Sequence, residues 1–263
     1  MIGAIAGDII GSVHEGAGTK TLDFPLFHRR CRFTDDSVLT VASAACLLDG
    51  GDYTDYYHDY FHAWPDAGFG GNFFQWAAAR DRQPYYSYGN GAAMRVSPVG
   101  FACGTLEEVL REAERSAAVS HDHPEGIRGA QATATAIFLA RQGEEKPAIR
   151  ARLEELFDYD LGRTLDEIRP RYRFDVSSQG SVPESIIAFL EADDYESTIR
   201  NAISLGGDAD TMACIAGGIA EAWYGGVPAE IRTGALERLD PRLRAVTERF
   251  VDRHGGGPDG DPG

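Results

Sequence analysis

Small and apolar residues recur along the chain at helical spacing, and few stretches alternate between apolar and polar positions. Thr34 or Asp35 can cap an apolar helix that continues through Leu48. Thr105-x-x-Glu108 has the form of a capping box ahead of Val109, Leu110 and Ala113. From Gly126 to Gln142 an apolar stripe includes Ile127, Ala130, Ala134, Ile137 and Phe138, which predicts another helix. A further helix is expected from about Pro183 to Ala192, where proline suits a first turn and Ile186, Ile187 and Leu190 face a core. Tyr195 to Leu205 reads as helix stopped by Gly206-Gly207, and a helix from about Asp210 to Tyr224 follows it. No pair of alternating segments is joined by a hairpin dipeptide, so the expected class is all-α, a compact multi-helix bundle. There is no internal repeat and no long linker. Residues 1–254 are expected to form a single domain, and the Gly, Pro and Asp of Gly255 to Gly263 a disordered tail with nothing to bury.

Composition narrows the partners. The 263 residues carry 41 acidic and 25 basic side chains, a formal net charge of −16. A nucleic-acid or acidic-membrane partner is thereby disfavoured, because phosphate backbones call for a basic stripe and the cluster Arg29, Arg30 and Arg32 is too short to be one. The four cysteines, Cys31, Cys46, Cys103 and Cys214, lie far apart with no C-x-x-C pair, which argues against structural zinc and against a disulfide framework. The start Met1-Ile2-Gly3-Ala4 lacks the basic segment of a signal peptide, and the longest uncharged apolar run, Ser37 to Leu48, is too short to span a bilayer. A soluble, cytoplasmic protein is expected.

The chemistry concentrates in two similar clusters. Thr34-Asp35-Asp36-Ser37 places a hydroxyl and two carboxylates at the start of an apolar helix, and Gly206-Gly207-Asp208-Ala209-Asp210-Thr211 does the same after a glycine turn. Capping alone accounts for one Asp, Ser or Thr at a helix start. It does not account for paired carboxylates at two helix starts, whose mutual repulsion calls for a cation. Hard ions such as Mg²⁺ take carboxylate oxygens first and hydroxyls or water next. Gly7-Asp8-Ile9-Ile10-Gly11, followed by Glu15, brings another acidic group near the chain start. In Ser87-Tyr88-Gly89-Asn90-Gly91-Ala92-Ala93-Met94-Arg95 the glycines let backbone approach a ligand and turn N–H groups toward an anion, although Asn-Gly is also the commonest hairpin dipeptide. The flanks alternate poorly, which favours the cradle. His121 and His123, in Ser120-His121-Asp122-His123-Pro124, have no cysteine or further histidine cluster beside them to complete a transition-metal site. Tyr53, Tyr56, Tyr57, Tyr60 and Phe61 fall at helical spacing and read as packing residues, whereas Tyr85, Tyr86 and Tyr88 beside the glycine loop are candidates for stacking on a base.

In this order the motifs resemble the ADP-ribosylglycohydrolase family, over Ile2 to about Pro228. The likeness rests on G-D-x-x-G-x-x-x-E at Gly7 to Glu15, T-D-D-S at Thr34 to Ser37, G-N-G-x-x-M-R at Gly89 to Arg95, the Ser120 to Pro124 stretch, and G-G-D-x-D-T at Gly206 to Thr211. The resemblance implies an all-α fold and a pair of Mg²⁺ ions in a cleft for ADP-ribose. By position, Thr34, Asp35, Asp36, Asp208, Asp210 and Thr211 would be the metal-centre residues. Glu15, Asp36 and Asp208 would carry catalysis, with Glu15 as base, acid or gate. Ser87, Tyr88, Gly89, Asn90, Gly91, Met94 and His121 would bind substrate. Asp66 is similar to an aspartate of the nitrogenase-regulating branch, on a poor surrounding match, and His123 fits a residue that merely opens a helix. The implied activity is Mg²⁺-dependent removal of ADP-ribose from a modified protein side chain, arginine foremost. The alternatives are an O-linked (serine or acetyl) or nucleobase-linked substrate, or a non-catalytic ADP-ribose-binding protein. A phosphohydrolase of the all-α kind would need His-Asp metal pairs, which the motifs do not supply.

Overall fold

The computed structural model describes residues 1–255. Within them the chain forms fifteen helices and no strand: α1 (Ile2–Gly11), α2 (Asp35–Asp49), α3 (Tyr53–Ala63), α4 (Gly71–Ala78), α5 (Gly91–Met94), α6 (Ser97–Ala102), α7 (Leu106–Ala118), α8 (Pro124–Arg141), α9 (Lys146–Phe157), α10 (Leu165–Ile168), α11 (Ser178–Leu190), α12 (Tyr195–Ser204), α13 (Ala209–Trp223), α14 (Ala229–Leu236) and α15 (Pro241–His254). The all-α class follows from the helical periodicity. The expected tail lies, from residue 256 on, outside the described residues.

Local chemistry sets the helix ends. Thr34 caps α2 by accepting the Asp36 N–H, and Thr105 and Glu108 form both halves of the capping box that opens α7. His123 caps α8, its Nδ1 accepting the Glu125 N–H at 3.0 Å. One boundary departs from the sequence reading. α11 starts at Ser178, five residues before the expected proline, so Pro183 sits inside the helix rather than in its first turn. Side chains hold the turn ahead of the proline: the Ser181 hydroxyl donates to Ser177 O at 2.7 Å, and the Tyr172 hydroxyl donates to Gly180 O at 2.7 Å. Asn90-Gly91 makes no hairpin either. Gly91 opens α5, while Gly89 forms an isolated antiparallel bridge with the distant Ser177.

At the centre lies α13, buried without interruption from Ala209 to Ala220. Helix α1, itself wholly buried, packs on it backbone to backbone. The reason is the spacing of Gly3, Gly7 and Gly11, one residue per turn on one face. A Cβ on Gly7 would fall 2.1 Å from Ala213 O, one on Gly3 2.3 Å from Gly217 O, and one on Gly11 2.5 Å from Asp210 Cα. No side chain fits at those distances, and no flexible neighbour can move aside. The tyrosine of α12, Tyr195, closes the contact by donating its hydroxyl to Gly3 O at 2.7 Å. The close approach carries Asp8, the one charged residue of α1, to the N-terminal end of α13.

Gly7→Ala is expected to destabilise the protein by about 3 kcal/mol or more, since the clash is with backbone. Gly70→Ala, at a position with a negative φ and nothing within 4 Å of the added carbon, is the control, expected to stay within about 0.5 kcal/mol. Chemical denaturation of the two variants measures the difference.

Candidate metal centre and substrate cleft

Asp8 has the densest set of polar contacts in the interior. Its Oδ1 accepts the Thr34 hydroxyl at 2.6 Å, and its Oδ2 accepts the Thr34 N–H at 3.0 Å, the Ser37 N–H at 3.1 Å and the Ser37 hydroxyl. A carboxylate from α1 thus completes the N-terminus of α2, where free N–H groups and the helix dipole favour negative charge. This contact fixes Asp35 and Asp36 against the start of α13. In the sequence Asp8 was only one more carboxylate near the chain start. The signal that could have singled it out is a lone acid in a helix otherwise made of glycine and apolar residues.

The assembled carboxylates form two adjoining nests. Asp8, Asp36 and Asp210 each present an oxygen within 4.8 Å of the others, and so do Glu15, Asp208 and Asp210. Asp210 belongs to both. All but Glu15 are buried. Burial and the neighbouring Asp210 charge hold the Asp36 carboxyl well above the usual range, and burial and Asp208 do the same to Asp210. Asp35 is pushed up to about 8 by burial and by Asp8, and burial with the Asp208 charge raises Glu15. Asp36 Oδ1 is buried with no hydrogen-bond partner. An acceptor-only oxygen left unpaired among like charges fits a hard divalent cation, and the donor set offers carboxylates and the Thr34 and Thr211 hydroxyls. Histidine and cysteine are absent from both nests, which suits Mg²⁺ better than zinc or copper.

A cleft of about 300 Å³ opens at the nests. Of the residues expected from the sequence, Glu15, Thr34, Asp35, Asp36, Asp208, Asp210 and Thr211 line it together with Ser87, Gly89, Asn90, Gly91, Met94 and His121. Asn90 joins the two sets: its amide donates to Asp208 Oδ2 at 2.8 Å and to Ser181 Oγ at 3.2 Å. Its backbone N–H is taken by Val176 O at 2.9 Å, so it is not free for an anion. Four expected residues stand apart from the lining, one of them Tyr86, which is exposed. Tyr88 is exposed at the rim with its ring 5.5 Å from that of His123, Asp66 is exposed beside the lining residues Ala67 and Gly68, and His123 serves as the α8 cap. The cleft also includes residues outside the motifs, among them Arg32, Asn72 and Phe73, and Arg95, which closes the glycine-loop motif but had no role assigned to it.

The comparisons agree with this geometry. A family model described as ADP-ribosylglycohydrolase matches residues 1–259. ADP-ribosylhydrolase ARH3 of Mus musculus is 28% identical over 307 aligned residues, covering 86% of this chain and 82% of that protein. Its Homo sapiens counterpart is 27% identical over 306, covering 86% and 84%. ADP-ribosylarginine hydrolase Tri1 of Pseudomonas putida (strain GB-1) is 29% identical over 154 residues, 54% of this chain and 40% of that protein. Among solved structures, an ADP-ribosylglycohydrolase-related protein complex superposes with a TM-score of 0.68 at 25% identity, covering 97% of each chain. No helix among the described residues is long and apolar enough to cross a membrane. The chain therefore belongs to the ADP-ribosylglycohydrolase family and is a glycosidase-type hydrolase.

Proposed function

We propose that the protein is a Mg²⁺-dependent hydrolase that releases ADP-ribose from modified protein side chains by cleaving the glycosidic bond at C1″ of the distal ribose. The observation that carries this reading is the pair of carboxylate nests sharing Asp210 in a cleft that the Ser87 to Met94 loop also lines. Asp8, Thr34, Asp35, Asp36, Asp208, Asp210 and Thr211 would hold two Mg²⁺ ions. When bound, such ions supply positive charge that orients ribose hydroxyls and lowers the pKa of water.

The remaining work falls to the chain's own groups. Glu15 stands at the open side of its nest, with its proton affinity raised, and would take a proton from the attacking water or give one to the departing side chain. Water adds to C1″ as the bond to the side-chain nitrogen or oxygen breaks, and the proton passes to the leaving group. The glycine loop and His121 would hold the diphosphate, and Tyr86 and Tyr88 offer exposed rings at the rim for the adenine. Arginine is the proposed attachment point. A surface of net charge −16 favours a basic target segment, and a relative whose name states a linkage, Tri1, is an arginine hydrolase. A hydroxyl-linked (serine) substrate is the second reading, supported by the likeness to ARH3, which extends over 86% of this chain where that to the arginine hydrolase extends over 54%.

The deciding experiment measures ADP-ribose released from arginine-, serine- and nucleic-acid-linked substrates, with Mg²⁺ and with chelator. Release from the arginine conjugate, abolished by chelator, is expected; turnover of the serine conjugate alone would transfer the assignment to the second reading. Asp210→Asn removes a ligand common to both nests and should lower turnover by about 100-fold or more; wild-type turnover in this variant would end the two-ion reading. A third expectation concerns pH. Folding raises the Asp35 carboxyl to about 8 from an ordinary value near 4, and moves Asp36 and Asp210 in the same direction. The stability these groups contribute while protonated is lost as pH rises through the folded-state value. The metal-free protein should therefore melt at a lower temperature at about pH 8 than at about pH 6, and added Mg²⁺ should raise the melting temperature more at the higher pH. Equal Mg²⁺ effects at both, read by calorimetry, would contradict this.

A further inference from the structure

Arg95, at the end of α5, is the largest fully buried side chain in the protein. Its partners are neutral. Nη2 donates to Ser116 O and to Ser120 Oγ, each at 2.9 Å, and the guanidinium lies 4.0 Å from the centre of the Tyr57 ring. Nε and Nη1 have no hydrogen-bond partner among the described residues. A buried charge without an ionic partner is costly, and an apolar side chain of similar volume would fill the space more cheaply. The charge therefore points to a task beyond packing.

The task follows from who can donate to whom. A guanidinium has donors only, so Ser120 Oγ accepts from Arg95. That leaves the Ser120 hydroxyl one proton and one lone pair to offer Nδ1 of His121, 2.8 Å away. An imidazole that accepts at Nδ1 is neutral and carries its proton on Nε2. That Nε2 borders the space left by the missing side chains of the glycine loop: a Cβ on Gly91 would lie 3.0 Å from it, and one on Gly89 3.7 Å.

We propose that Arg95 is a positioning residue for ligand recognition: through Ser120 it holds His121 as a neutral Nε2–H donor toward the anionic diphosphate of a ligand seated along Gly89 to Gly91. Its uncompensated charge also supplies a positive field behind that loop. The inference rests on the reading of the cleft as an ADP-ribose site. Burial, and secondarily the Arg95 charge, lower the proton affinity of His121, which agrees with a neutral ring. The other groups around the ring do not oppose this. The Tyr85 ring meets it edge-on at 5.8 Å, and the Asp122 carboxylate is turned away to accept the Tyr86 N–H at 2.8 Å.

The test combines imidazole ¹⁵N shifts of His121, assigned by a His121→Gln variant, with calorimetric binding of ADP-ribose and of inorganic pyrophosphate. In the wild type a single neutral Nε2–H tautomer is expected even at about pH 6, where a free histidine is largely charged. Ser120→Ala should give mixed tautomers or imidazolium and bind ADP-ribose about tenfold more weakly, the loss of one charge-assisted hydrogen bond. In turnover, its KM should rise more than its kcat falls. Arg95→Lys should restore the single tautomer in part and Arg95→Met should not; if Arg95→Met does not fold, Ser120→Ala decides. An Nδ1–H tautomer in the wild type, or equal ADP-ribose affinity in the wild type and Ser120→Ala, overturns the proposal alone. Wild-type protein that binds neither ADP-ribose nor pyrophosphate overturns the cleft assignment and the proposal with it.

Discussion

Helices α1 and α13 touch through their backbones, and the candidate site depends on that contact. With glycine at 3, 7 and 11 the two axes come close enough for Asp8 to reach under the start of α2 while Asp210 opens α13 beside it. A single methyl group in the contact would separate the helices and pull the nests apart. The same approach accounts for one of the two helix-weakening glycines of α13: Gly217 faces Gly3 O at a distance that admits no side chain. Conformational freedom is given up here for proximity, and the proximity is what gathers the carboxylates.

Gathering them is electrostatically unfavourable in the protein alone. Burial and the neighbouring carboxylates raise the proton affinity of Asp36 and Asp210, and at Glu15 the opposing charge of Arg32 offsets the rise only in part. Asp8 is the exception in kind, because four hydrogen bonds from Thr34 and Ser37 satisfy it. It serves as a structural anchor as much as a ligand. The site thus has one carboxylate satisfied by protein donors and others, Asp36 most clearly, whose lone pairs face one another. Elsewhere in the cleft the charge has the opposite sign: Arg95 lies buried behind the glycine loop with no anion beside it. On the proposed reading, an acidic protein would have two means of accepting an anionic ligand, a cation held by its carboxylates and a guanidinium beneath its loop, and neither shows in the net charge.

Much of the site was legible in the sequence because helix starts are local. Thr34-Asp35-Asp36 and Asp208-Ala209-Asp210-Thr211 announce themselves by an excess of oxygen ligands where one cap would suffice, and both line the cleft. What local pattern could not supply were residues whose role is defined by a distant partner. Asp8 gains its role from Thr34 and Ser37 across 26 and 29 residues, and Arg95 from Ser116 and Ser120 across 21 and 25. The glycine pattern around Asn90 predicts a cradle for an anion, yet its backbone N–H goes to Val176 O and its side chain braces Asp208. The early start of α11 was missed for a related reason. The turn ahead of Pro183 is held by side-chain hydroxyls, one of them on Tyr172, and not by helix propensity.

Taken by itself, the order of residues determined the helical class, through apolar spacing and capping, and the identity of most candidate ligands, through paired acids at helix starts. Both are properties of a few consecutive residues. The tertiary structure decided which acids meet, with Asp210 common to two nests and Asp8 joined to one of them, and which polar groups carry an unbalanced charge. Those facts depend on distances between helices far apart in the chain. They are set by which side chains are absent from the contact between α1 and α13, a matter of packing that periodicity can suggest but cannot measure.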